Sequence, residues 1–76
     1  MTYVELANRI ARYLAKYDGS LSKSDILYSI GQRDCGDYLW KLAIKHALDS
    51  GLVHKESKLR YCSETYLQKI RAQLKG

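Results

Sequence analysis

A chain of 76 residues has room for one domain, burying about 60% of the surface its unfolded form exposes, which leaves no space for a deep cleft around a small-molecule substrate. Hydrophobic residues at 46%, charged residues at 28% and no proline exclude a disordered or linker-like chain. The formal charge of +5 favours polyanionic partners without reaching the density of a basic arm.

The charge is unevenly placed. From residue 55 onward, Lys55, Lys58, Arg60, Lys69, Arg71 and Lys75 oppose only Glu56 and Glu64, which leaves +4 of the +5 in the last third. Cys35 and Cys62 lie far apart, outside any C-x-x-C arrangement, as expected of free thiols in a reducing compartment. Met1 to Ile10 contains Glu5 and Arg9 and no apolar run, so neither a signal peptide nor a membrane anchor is expected, and the cytoplasm is the expected location.

Thr2 and Glu5 form a T-x-x-E capping box, after which Tyr3, Leu6, Ala7, Ile10, Leu14 and Tyr17 recur at helical spacing. This predicts a first helix, with Gly19 available in the left-handed region to end it. Leu21 is placed to join a small sheet. Ser22 and Asp25 repeat the capping spacing, and Ile26, Leu27 and Ile30 give a second helix of about two turns before Gly31. Gln32 to Gly36 reads as a turn, with Asp34 or Asp37 capping a third helix that runs to Ser50 before Gly51. Leu39, Trp40, Leu42, Ala43, Ile44, Ala47 and Leu48 make this helix apolar nearly all round. Only Asp37, Lys41, Lys45 and Asp49 form a polar strip. Leu52 to Lys55 and Leu59 to Cys62 predict an antiparallel hairpin around Glu56, Ser57 and Lys58. Ser63 can cap a last helix with a Leu67, Ile70 and Leu74 stripe. The expected class is α+β, mostly helical, in a single domain over 1–76.

The order helix, extended piece, two helices, hairpin, helix resembles the winged helix-turn-helix family over essentially the whole chain. Leu48-Asp49-Ser50-Gly51-Leu52-Val53 is similar to that family's passage from recognition helix to first wing strand, and Ser20-Leu21-Ser22-Lys23-Ser24-Asp25 to its approach to helix two. The resemblance implies a three-helix core, a two-stranded β-wing and a C-terminal helix. It also implies a third helix in the major groove, with the wing on backbone or minor groove.

Candidate DNA-facing groups are Gln32, Arg33, Tyr38, Lys41 and Lys45 at the turn and third helix, and Lys55, Lys58 and Arg60 at the hairpin. The lysines suit phosphate, and Gln32 or Arg33 a base edge. Lys41 and Lys45 can equally form surface pairs with Asp37 and Asp49, each worth about 0.2–0.5 kcal/mol, and hairpin lysines also protect edge strands. Asp34 and Asp37 put carboxylates where the third helix would otherwise attract phosphate, and that helix holds neither Arg nor Asn to read bases. Seven tyrosines and Trp40 offer rings for base stacking, although Tyr3, Tyr17 and Trp40 have core positions available. His46, His54, Cys35 and Cys62 lack the short spacing of a zinc site, and no catalytic motif is present, so neither a cofactor nor enzyme activity is expected.

The expected function is that of a small duplex-DNA-binding protein, a transcriptional regulator or accessory factor, holding the backbone with Lys41, Lys45, Lys55, Lys58 and Arg60. The alternative is a protein-protein interaction module, an adaptor or inhibitor without DNA binding, using Tyr38, Trp40 or Ile44 as an apolar patch. A homodimer through the first or last helix is a third expectation.

Overall fold

The computed structural model describes residues 1–75, with Lys75, counted above among the basic residues, described in its backbone alone. Among these residues the elements run α1 (Tyr3–Lys16), β1 (Ser20–Leu21), α2 (Lys23–Ser29), α3 (Asp37–Asp49), β2 (His54–Ser57), β3 (Arg60–Cys62) and α4 (Glu64–Lys75). The chain is α+β and mostly helical, and its one described sheet is three-stranded and antiparallel in the order β1-β3-β2.

Local chemistry sets the helix starts. Thr2 Oγ1 accepts the Glu5 N–H at 3.1 Å, Ser22 Oγ accepts the Asp25 N–H at 3.4 Å, and Ser63 Oγ accepts the Tyr66 N–H at 3.1 Å. Each hydroxyl satisfies a backbone donor that has no partner inside its helix. The start of α3 differs from expectation. Neither Asp34 nor Asp37 caps it: Gly36 holds that position at φ 86° with no side-chain bond, and Asp37 is already helical. Gly19 also departs from its expected role, because its φ is not positive and α1 ends at Lys16 with Tyr17 extended. A Cβ at position 19 would stand 2.9 Å from Tyr17 Cε2, so the glycine makes room for a ring.

The core forms where the predicted stripes meet. Leu6, Ile10 and Leu14 of α1, Ile26 and Leu27 of α2, and Trp40, Ala43, Ile44 and Ala47 of α3 are buried together with Leu21, Val53 and Tyr61. Helices α1 and α3 form the main interhelical contact, and the buried Ala7, Ala43 and Ala47 are small enough to let the backbones approach. The ends of the α1 stripe fall outside this core, with Tyr3 and Tyr17 both exposed.

The hairpin is shifted towards the C terminus. Leu52 and Val53 were expected in its first strand, but their N–H groups both donate to Ala47 O, at 2.9 and 3.3 Å, which makes them part of the α3 terminus. The ladder starts at His54, paired with Cys62, and Lys55 faces Tyr61. Glu56 is the extra residue of a bulge before Ser57 meets Arg60. The turn is Lys58–Leu59 instead of Glu56 to Lys58, and Leu59 is exposed. On the other edge, Ser20 and Leu21 pair with Cys62 and Tyr61, as Leu21 suggested.

Along α4, Leu67 and Ile70 are half-buried but Leu74 is 82% exposed, so its stripe is covered only in the earlier part of the helix. Lys69 Nζ to Asp18 Oδ2 at 3.0 Å ties α4 to the segment before β1. His54 Nε2 lies 2.5 Å from Glu64 Oε2, a close contact without the alignment of a hydrogen bond.

Candidate nucleic-acid interface

The centre of the candidate surface is a pair of rings. Trp40 of α3 and Tyr61 of β3 meet edge to face, centroids 5.6 Å apart at 77°, a favoured aromatic geometry. Both are buried, so they fix α3 against the sheet and are not free to stack on bases. A lysine accompanies each ring: Lys23 Nζ lies 5.9 Å from the Trp40 centroid, and Lys55 Nζ 5.9 Å from that of Tyr61. Both are within cation–π range.

Asp37, at the start of α3, joins this group. Its Oδ1 accepts a hydrogen bond from Lys23 Nζ at 2.6 Å, so the expected pairing of Asp37 with Lys41 gives way to one across α2 and α3. The Lys23 hydrogen bond first, the Lys23 charge next, and a smaller contribution from Lys41 hold the Asp37 carboxyl below its ordinary range. A positive charge beside a carboxylate favours its ionised form in this way. Lys23, Lys41 and Lys55 therefore come from α2, α3 and β2 to one neighbourhood around Trp40, Tyr61 and Asp37.

The remaining predicted residues fall into distinct roles. Lys45 is exposed and bonded to Asp49 at 3.0 Å, the expected pair one turn away. Lys58 is exposed in the hairpin turn. Arg60 is exposed yet committed within the chain: its Nε donates to Ser20 Oγ at 2.9 Å and its Nη2 to Ser20 O at 2.7 Å. Its guanidinium thus clamps β1 to β3. Gln32 is half-buried, its N–H donating to Leu27 O at 2.8 Å. Arg33 is exposed and packs over Tyr28, 5.3 Å from that ring's centroid. Tyr38 is 77% exposed, whereas Trp40 and Ile44 are buried, so of the three residues expected to make an apolar patch only Tyr38 is on the surface.

Two shallow depressions run beside the aromatic pair. One is lined by Ser22, Lys23, Ser24, Trp40, Leu59 and Tyr61, and the other by Lys23, Ser24, Leu27 and Arg33. They share Lys23 and Ser24, so α2 links the hairpin tip to the α2–α3 turn. Lys23 was absent from the expected site. A lysine at the first position of a helix, where acidic residues are favoured, was its signal in the sequence. A larger concavity, lined by Asn8, Ala11, Arg12, Ala15 and Leu52, lies on another side and holds Arg12 as its one charged group.

The basic last third is divided by the fold. Lys55 and Lys58 stand at the hairpin, while Lys69 and Arg71 are carried away on α4. Cys35 and the buried Cys62 are free thiols. Among the described residues, no three His, Cys, Asp or Glu side chains gather as a metal-ligand set, and no helix is long and apolar enough to cross a membrane. No protein-family model, curated protein or solved structure matches the chain.

Proposed function

We propose that this chain is a winged-helix protein that holds the backbone of duplex DNA, acting as a regulator or accessory DNA-binding factor. The observation that carries this reading is the convergence of Lys23 of α2 and Lys55 of β2 on the Trp40–Tyr61 pair, with Lys41 of α3 beside Asp37 at its edge. In this reading α3 is the recognition helix, β2 and β3 are the wing, and Lys41, Lys55 and Lys58 are its phosphate contacts. These three have no ion-pair partner among the described residues. The rigid ring pair would keep the helix and hairpin cations at a fixed separation, which is what a regularly spaced line of phosphates requires.

The test is anisotropy of a fluorescein-labelled random duplex over a salt series. With three phosphate contacts, the logarithm of the affinity is expected to fall with the logarithm of salt at a slope of about −3. Lys41→Glu, Lys55→Glu and Lys58→Glu together are expected to weaken binding and flatten that slope. Unchanged affinity in the triple variant would overturn this docking mode.

A second reading rests on a different observation. Tyr28 and Tyr38 are 68% and 77% exposed, and Arg33 covers one face of Tyr28. Exposed tyrosine and arginine are the side chains most used as anchors in protein interfaces. Under this alternative the domain is an interaction module, and the duplex does not bind even at low salt.

A further inference from the structure

We propose that Lys23 is an additional phosphate-binding residue of this surface, masked in the free protein by the Asp37 carboxylate; the inference rests on the duplex reading above. Lys23 occupies the junction of the two depressions, with Leu59 and Tyr61 of the hairpin on one side and Arg33 on the other. A backbone running from the wing cations to the turn would pass it. Its side chain is 39% exposed and its ammonium is positioned over Trp40, so it is accessible but not freely swinging.

The group now seated on that ammonium is an anion. Asp37 Oδ1 is 2.6 Å away, and the Asp37 side chain is 81% exposed. A carboxylate and a phosphate offer a lysine the same kind of oxygen acceptor. Asp37 therefore does two things to an approaching strand: it neutralises Lys23, and it presents its own negative charge to the phosphate. The pair is exposed and crosses between helices, so separating it is inexpensive, and α2 and α3 need not move for the carboxylate to swing aside.

These two effects separate in a double-variant cycle. Removing the charge by Asp37→Asn relieves both, whereas in a Lys23→Ala background only the repulsion remains to be relieved. The experiment measures the same labelled duplex over a salt series with wild type, Lys23→Ala, Asp37→Asn, Asp37→Asn/Lys23→Ala and Asp37→Asn/Lys23→Arg, each checked for folding by circular dichroism. Asp37→Asn is expected to bind about two- to fivefold tighter than wild type, with the salt slope steeper by about one. Adding Lys23→Ala is expected to remove the extra slope and weaken binding, and Lys23→Arg, which keeps the charge, to retain the gain. Equal affinity and slope for Asp37→Asn with and without Lys23→Ala would overturn the inference while leaving the duplex reading intact. Absence of duplex binding by all five proteins would overturn the duplex reading and, with it, this role for Lys23.

Discussion

Arg60 and Cys62 are two positions apart and show how burial divides residue roles within one short strand. Arg60 uses two neighbouring N–H groups of its guanidinium, Nε and Nη2, on Ser20, a geometry that lysine cannot reproduce. Cys62 is fully buried. Burial raises its thiol above the ordinary range, and the nearby Glu56 and Glu64 charges push the same way, so the nucleophilic thiolate is scarce at neutral pH. Cys35 is half-buried in the α2–α3 turn. Iodoacetamide on the native chain is therefore expected to modify Cys35 first, with Cys62 reacting only after denaturant is added; mass spectrometry of the two peptides reads the order. Comparable native labelling of both would mean that β3 opens readily.

At the scale of elements, α4 is the least supported. Its cap at Ser63 and its Leu67 and Ile70 contacts hold the first turns, but residues 71–74 are all exposed. Leu74→Asp is expected to change stability by no more than about 0.5 kcal/mol, as surface changes do, whereas Leu67→Asp places a charge beside packed apolar groups and is expected to cost more. Urea melts of the two variants check the difference. The helices were readable because their caps and stripes are local: T-x-x-E, S-x-x-D and the period of Trp40, Ala43, Ile44 and Ala47 need no distant partner. The hairpin bounds were less so. Leu52 and Val53 look like strand residues by composition, but Ala47 O captures their N–H groups, an outcome that depends on how α3 ends. The same limit applies to the site. The basic residues at 41, 55 and 58 could be picked out one by one, but the pairing of Lys23 with Asp37 and the commitment of Arg60 to Ser20 arise between elements far apart in sequence.

The described residues span 42 × 22 × 21 Å, with a radius of gyration of 12.2 Å, slightly above the value of about 11.4 Å expected for a compact chain of this length. The exposed end of α4 fits this elongation. Small-angle scattering from the dilute chain is expected to give a maximum dimension somewhat above this 42 Å, since side chains and hydration add to it, and a much longer particle would report self-association. The outer sheet edge gives the molecule a mechanical character. Ser20 sits opposite Cys62, so the chain arrives at β1 and departs from β3 at the same end of their ladder. Tension applied to the two termini would load that end first and part the strands like a zipper, one bond at a time, instead of shearing all of them together. The Arg60 fork on Ser20 lies at this mouth. Just outside it the Lys69–Asp18 pair joins the two departing segments, so once both ties release, α2, α3 and the hairpin lose the seam that encloses them.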